Sequence, residues 1–138
     1  GNTVEDDFMK LGSLLVACML GSLAQPALAS EEGYSATYTG CMDASGGVTV
    51  NMLDCAAAET AWQDARLNSG YKTANKVLSS ENRANLLAAQ RLWLKYRDAN
   101  CALYGRLTGG TIDSLNGTSC FLEMTKARAD DLAWLAQQ

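Results

Sequence analysis

The sequence predicts a small all-α protein, an antiparallel bundle of three helices closed by two disulfides. Apolar residues recur at three- and four-residue steps through three long segments, which is the pattern of amphipathic helices. An even number of cysteines remains once a predicted export signal is removed. No alternating run of β-branched residues is long enough for a sheet. At 138 residues, the chain has the length of one domain rather than two.

The N-terminal part of the chain has the organisation of a cleavable signal peptide over residues 9–29. A positive start at Lys10 precedes an apolar run from Leu11 to Leu23, and an Ala-Leu-Ala ending favours cleavage between Ala29 and Ser30. The apolar run is shorter than the roughly 20 residues that a membrane-spanning helix needs. We therefore expect an exported protein, periplasmic or extracellular, with no transmembrane helix after processing.

Two further features concern the same region. Residues 1–8 carry three acidic side chains, the wrong charge for the start of a signal peptide, and we interpret them as an upstream extension or a cloning remnant. The run Leu15-Val16-Ala17-Cys18 matches a lipoprotein cleavage box, so a lipid anchor at Cys18 is the minor alternative. The apolar run continues past Cys18, which favours the ordinary signal peptide.

The processed chain is close to neutral. Removal of residues 1–29 leaves ten basic and twelve acidic residues, a net charge of −2. Such a charge provides no strong field for nucleic acid or for an anionic membrane. We expect neither as a partner, and we expect a monomer.

Four cysteines remain in the processed chain: Cys41, Cys55, Cys101 and Cys120. In an exported chain an even number indicates disulfides, and four cysteines allow three pairings. We favour the nearest-neighbour pairing, because each bridge then closes a glycine-containing loop beside a predicted helix. The chain has no histidine and no C-x-x-C pair, so we expect no zinc site and no cofactor.

A flexible lead is predicted for residues 30–40 and a helical domain for residues 41–138, with a loop at its start. The helices themselves are predicted over residues 51–78, 80–104 and 119–135. A serine hydroxyl at the Ser79-Ser80 pair suits the start of the second helix, and Gly105 suits its end. The segment 105–118 contains four glycines and predicts a long loop between the second and third helices.

Four polar side chains fall on the inward faces of these helices: Asp64, Gln90, Arg97 and Arg128. We interpret them as a buried polar network that fixes the register of the helices. Since an unpaired buried carboxylate is strongly destabilising, Arg97 is the expected partner of Asp64. A catalytic or ligand-binding role for Asp64 is the alternative.

The motifs of common enzymes are missing. Without histidine a hydrolase triad is hard to build, and there is no G-x-S-x-G elbow, phosphate-binding glycine loop or dinucleotide fingerprint. Two carboxylates can cleave glycosides, and Glu59 or Glu123 could serve with an aspartate, but a small bundle offers little cleft. Trp93 and Tyr96 beside basic residues allow base stacking, although Trp93 lies on the core face. We therefore predict a binding protein rather than an enzyme.

The segment 105–118 is the surface best suited to contact a partner. Because cysteines flank it, it would be preorganised, which lowers the entropy cost of binding. Its hydrogen-bond donors are the candidate partner contacts: Arg106, Thr108, Thr111 and Ser114.

A resemblance to a known family agrees with this organisation. The block from Ala89 to Cys101 contains Gln-Arg-x-Trp-x-x-Tyr-Arg-Asp-x-x-Cys and resembles the signature of the LprI-type lysozyme-inhibitor family, N-terminal domain type. Other matching positions are Asp54-Cys55, Asp64-Ala65-Arg66-Leu67-Asn68, Tyr71, Cys120, Met124-Thr125 and Arg128. The resemblance implies an exported helical domain with two disulfides that inhibits lysozyme by binding it. It assigns no inhibitory residue, and a general envelope interaction or structural module with an unknown partner is the alternative.

Overall fold

The structure, a computed structural model, describes residues 33–138. The predicted signal peptide, the extension before it and the alternative lipid anchor at Cys18 lie outside the described residues. The described part contains four helices, which are α1 (Ala36–Ala44), α2 (Thr49–Val77), α3 (Ser80–Tyr104) and α4 (Ile112–Leu135). The predictions of an all-α fold and of two disulfides are confirmed, whereas the prediction of three helices is wrong. Across residues 33–138, no helix combines the length and the apolar character needed to cross a membrane.

The additional helix is α1, which covers residues for which the sequence predicts a flexible lead and a loop. At its start, the Ser35 hydroxyl accepts a hydrogen bond from the Tyr38 amide at 3.1 Å. A helix of nine residues is too short to be stable by itself in water. It is fastened to α2 by the Cys41–Cys55 disulfide and by hydrogen bonds from Ser35 to Glu59. These contacts join residues that are far apart in the sequence, so no local sequence pattern predicts them.

The connection between α2 and α3 is short and follows the predicted chemistry. Leu78 and Ser79 separate the two helices, and the Ser79 hydroxyl accepts from the Asn82 amide at 3.2 Å. Glu81 in the first turn of α3 is favourably placed against the partial positive charge of the helix N-terminus. The bounds of both helices lie within two residues of those predicted.

The core forms where α4 packs against both α2 and α3. Its buried members are Leu67 and Ala74 of α2, Leu86 of α3, and Ala129 and Leu132 of α4. Partly buried apolar residues complete the cluster: Tyr71, Leu78, Trp93, Leu135 and Ala136. Trp93 therefore contributes to the core, as its position on the apolar face predicts.

The contact between α2 and α4 is closest at Gly70. A Cβ atom added there would lie 3.1 Å from the Leu132 Cβ, 3.2 Å from the Leu132 carbonyl carbon and 3.3 Å from the Ala133 nitrogen. These distances leave no room for a larger residue without displacement of the α4 backbone. The glycine inside a predicted helix is thus explained by close packing of two helices.

The loop that precedes α4 is shorter than predicted. The helix begins at Ile112 instead of near residue 119, so the connection comprises residues 105–111 and the long loop of residues 105–118 is not present. A Cβ atom on Gly117 would lie 3.1 Å from the Gly105 Cα, so glycine at position 117 lets α4 approach the end of α3 closely. A segment with poor intrinsic helix propensity is helical here because of this tertiary packing.

Candidate partner-binding site

The connection between α3 and α4 is anchored at its base by the second disulfide. The Cα atoms of Cys101, in the last turn of α3, and Cys120, in α4, lie 5.4 Å apart. Residues 105–111, which we call the α3–α4 loop, therefore leave and re-enter the helices at fixed positions. The sulfur of Met124 packs against the bridge, 3.7 Å from the Cys101 sulfur.

The α3–α4 loop is folded around one carboxylate, that of Asp113 in the first turn of α4. Its oxygens accept from the Thr108 amide at 3.1 Å, from the Thr108 hydroxyl at 2.9 Å and from the Gly109 amide at 2.8 Å. The Thr108 hydroxyl in turn accepts from the Gly110 amide at 3.0 Å. Gly109 has φ +73°, a left-handed conformation that favours glycine. The loop thus has one defined shape.

The electrostatics of Asp113 match this role. Burial by itself would raise the pKa of the carboxyl group, but hydrogen bonds from Thr108, Gly109 and Asn116 outweigh burial and hold the pKa below its usual value of 3.8. The helix N-terminus also favours the ionised form. Asp113 is therefore charged at neutral pH and keeps the loop closed.

The structure distributes the four predicted contact residues unequally. Arg106 is exposed and makes no ion pair with any residue in the range 33–138. Thr108 is exposed, but its hydroxyl is engaged with Asp113 inside the loop. Thr111 is the exposed residue before α4, and Ser114 lies on α4 itself rather than in the loop.

Exposed apolar residues beside the loop are absent from the partner contacts predicted from the sequence, which are all polar. Leu103 at the end of α3, Leu107 in the loop and Ile112 at the start of α4 are 59%, 55% and 50% exposed. Exposed large apolar side chains on a constrained loop are typical of a binding surface. The available signal was their position in a glycine-rich segment between two cysteines, where a plain connecting loop would be polar.

The predicted polar network forms in part. The Arg128 Nε donates to the Gln90 side-chain oxygen at 2.9 Å, and the Arg97 guanidinium donates to the Thr125 hydroxyl at 3.4 Å. The Arg97 and Arg128 guanidinium carbons lie 4.9 and 6.0 Å from the centre of the Trp93 ring. These side chains link α3 to α4, and the carboxylate that pairs with the Arg97 guanidinium is that of its neighbour Asp98, at 3.1 Å.

The prediction that Asp64 is buried against Arg97 is wrong. Asp64 is exposed on α2, where its carboxylate accepts from the Asn68 side chain at 3.2 Å. The buried carboxylate of α2 is Glu59, only 3% exposed. Its oxygens accept from the Ser35 amide at 2.9 Å, the Ser35 hydroxyl at 2.6 Å and the Gln63 side chain at 3.0 Å. Glu59 therefore holds the start of α1 and is not presented to solvent.

The two glutamates considered for glycoside cleavage lie in separate cavities. Glu59 lines a cavity of about 240 Å³ beside Cys41–Cys55, and Glu123 lines one of about 260 Å³ between α3 and α4. Within the part of the chain that the structure describes, neither of these cavities brings a second Asp or Glu to face its glutamate. In the same range, no three His, Cys, Asp or Glu side chains are arranged to hold a metal ion.

A small helical domain with two disulfides is typical of extracytoplasmic proteins, because disulfides form and persist in oxidising compartments. Comparison with known families specifies the class further. The family model described as "Lysozyme inhibitor LprI" matches residues 41–132, and the chain therefore belongs to the LprI family. The match includes α2, α3, both disulfides, the α3–α4 loop and most of α4. No curated protein and no solved structure matches the chain.

Proposed function

We propose that this protein inhibits lysozyme-type cell-wall hydrolases outside the cytoplasm by binding them through the α3–α4 loop. Membership of the LprI family supports inhibition as the function, and the conformation of the loop supports it as the contact. The main observation in support is that Asp113 and the Cys101–Cys120 bridge hold the loop in one shape, while Arg106 and Leu107 remain exposed. A loop that is ordered before binding loses little entropy in the complex.

The chemistry of the target gives the loop a reason to bind. Glycoside hydrolases of this kind place two carboxyl groups in a cleft that accommodates a sugar chain. An arginine guanidinium forms two parallel hydrogen bonds with a carboxylate, so Arg106 is the side chain best suited to reach such a group. Leu103, Leu107 and Ile112 surround it with apolar area, which arginine anchors at interfaces commonly have.

The test is lysis of a peptidoglycan suspension by lysozyme, with and without excess oxidised protein. We expect slower lysis, and we expect the double variant Arg106→Ala/Leu107→Ala to weaken inhibition by about tenfold or more. The matched control is Lys72→Ala/Val77→Ala on α2, which removes one exposed base and one exposed apolar residue elsewhere. Equal inhibition by both variants would show that the loop does not contact the hydrolase.

Absence of inhibition against lysozymes of several types would contradict the proposed function itself. In that case the family scaffold would serve the alternative role of a general envelope-binding module.

The threonine at position 108 is left unchanged in this test, because its replacement would also open the loop.

A further inference from the structure

The outer face of α3 carries an apolar stripe. Leu92, Tyr96 and Leu103 are 68%, 62% and 59% exposed. Steps of four and seven residues place them on one side of the helix. Residues that α3 buries against α4, such as Gln90 and Arg97, lie on the other side. Among residues 33–138, no other helix packs extensively on this outer face.

Basic side chains border the stripe. Arg91 and Lys95 are exposed, lie one turn apart and make no ion pair with any residue of the described range 33–138. We call Leu92, Tyr96 and Leu103, together with Arg91 and Lys95, the α3 ridge. Long basic side chains beside apolar residues can keep their charged ends in a polar layer while their stems cover apolar surface.

Charge is distributed unevenly over the described part of the chain. Residues 80–104, which form α3, contain four basic and two acidic residues, a net charge of +2. Residues 33–79 and 105–138 together contain six basic and eight acidic residues, a net charge of −2. The net charge of the processed chain is close to zero, which by itself argues against an anionic partner. The uneven distribution nevertheless makes α3 basic on an otherwise acidic protein.

A second copy of the chain is a poor occupant for the α3 ridge. An isologous contact between antiparallel α3 helices would bring the Arg91 and Lys95 rows of two copies together, and like charges across an interface oppose association. Three large apolar side chains also fall short of the roughly 800 Å² per partner that a stable protein interface buries. The ridge is convex and basic, which suits a broad anionic surface.

We propose that the α3 ridge docks this protein on the surface of an anionic phospholipid bilayer. Leu92, Tyr96 and Leu103 lie at the boundary of headgroups and acyl chains, and Arg91 and Lys95 contact lipid phosphates. The arrangement is that of an interfacial amphipathic helix, with apolar residues on one face and Lys or Arg at its edges. Tyrosine is favoured at this depth because its ring is apolar and its hydroxyl is polar.

The test is co-sedimentation of the oxidised protein with vesicles of phosphatidylglycerol and phosphatidylcholine, compared with vesicles of phosphatidylcholine alone. We expect binding to the anionic vesicles that weakens with added salt. Arg91→Glu/Lys95→Glu should weaken it by about tenfold or more, since basic residues near the bilayer carry the attraction. The control Lys72→Glu/Lys76→Glu makes the same charge change at the same spacing on α2 and should leave binding within about twofold.

The apolar part of the α3 ridge is tested separately. Leu92→Ser/Tyr96→Ser should reduce binding to anionic vesicles, whereas Val50→Ser/Val77→Ser, which alters exposed apolar residues of α2, should not. Circular dichroism and thermal unfolding verify that each variant is folded. No binding by the unaltered protein, or equal losses in the α2 and α3 variants, would overturn the proposal.

Because the vesicle assay contains no hydrolase, its outcome is independent of the proposed inhibition. If Arg91→Glu/Lys95→Glu abolished inhibition of lysozyme while the unaltered protein ignored vesicles, the α3 ridge would be a contact for a protein instead. That result would also overturn membrane docking.

Discussion

At the scale of single residues, two carboxylates organise the ends of this domain. Asp113 closes the α3–α4 loop, and Glu59 fastens the start of α1 to α2. Helical periodicity favours Asp64 instead, because an apolar stripe on α2 can be drawn through it. The buried face of α2 contains the polar pair Glu59 and Gln63. A pattern based on apolar residues alone skips this pair and places Asp64, the residue after Gln63, on the inward face. The hydrogen-bond partner of a buried polar group depends on its neighbours in the folded protein. For Glu59 that neighbour is Ser35, and local sequence periodicity does not reveal it.

The first prediction concerns acid. The pKa of Asp113 is lowered in the folded protein, so its stabilisation of the loop is complete above the unfolded value of about 3.9 and is lost as pH falls through the lower folded value. We expect slow hydrogen exchange at the Thr108 and Gly109 amides at pH 5 and above, and loss of protection only below about pH 4. Asp113→Ala, which removes both acceptor oxygens, should expose both amides at every pH. Protection that disappears near pH 6 would contradict this account.

The second prediction compares the two acidic residues of α2. Glu59→Ala leaves the Ser35 amide and the Ser35 hydroxyl without their acceptor, and it removes one of the two acceptors of the Gln63 side-chain amide, which keeps the Gly33 carbonyl oxygen. We expect a loss of about 2–3 kcal/mol in the free energy of unfolding. Asp64→Ala, on the exposed side of the helix, should change it by less than about 0.5 kcal/mol. Urea denaturation measures both. Similar effects for the two variants would contradict the assignment of Glu59 as the buried acid.

At the scale of elements, the long amphipathic helices α2 and α3 were predictable, whereas the short helix α1 and the start of α4 were not. Helices α2 and α3 have strong periodicity, and Ser79 caps α3 as expected. Helix α1 and the first two turns of α4 lack such periodicity, and they form because a disulfide, a buried carboxylate and a glycine contact support them. Short or propensity-poor helices that depend on packing are the ones that a local pattern misses.

Gly70 gives the third prediction. Alanine is a better helix former than glycine by up to about 1 kcal/mol, so propensity alone favours Gly70→Ala. Its new methyl group would press on the backbone of Leu132 and Ala133, and we expect a net loss of about 1 kcal/mol or more. Gly40→Ala in α1 is the matched control, because nothing lies within 4 Å of its added methyl group. That variant should be neutral or stabilised in thermal unfolding; stabilisation of both would contradict the packing argument.

At the scale of the whole molecule, the disulfides and the family were accessible from the sequence, while the surface was not. Cysteine count and the family motif led to the same stapled helical domain that the structure contains. The exposed apolar residues Leu92, Leu103 and Leu107 could not be separated from core residues, because both kinds recur at helical spacing. Only the packing of α4 against α2 and α3 decides which face of each helix remains in solvent.

The fourth prediction distinguishes the two disulfides. Each closes a loop of similar length, 14 and 19 residues of separation, and the chain-entropy estimate gives about 3 kcal/mol for either. Replacing Cys101 and Cys120 by serine should destabilise the protein and also abolish inhibition, because the α3–α4 loop loses its anchor. Replacing Cys41 and Cys55 should cost similar stability but retain inhibition at temperatures where the protein is folded. Thermal unfolding and the lysis assay measure both, and loss of inhibition in both variants would contradict the assignment.

The fifth prediction concerns processing. The intact mass of the exported protein should correspond to a chain that begins at Ser30, with two hydrogen atoms lost for each disulfide. A lipid-modified species beginning at Cys18 would contradict the predicted cleavage site.

The position of α4 has a consequence for how the protein is made. Helices α2 and α3 each complete their burial against α4, which follows both of them in the chain. A nascent chain that has not yet reached α4 therefore has no partner for Leu67, Ala74 or Leu86 and cannot form a stable core. Folding waits until α4 has been synthesised. A chain that crosses a membrane before its disulfides form benefits from this delay, because a translocation channel accepts an extended polypeptide.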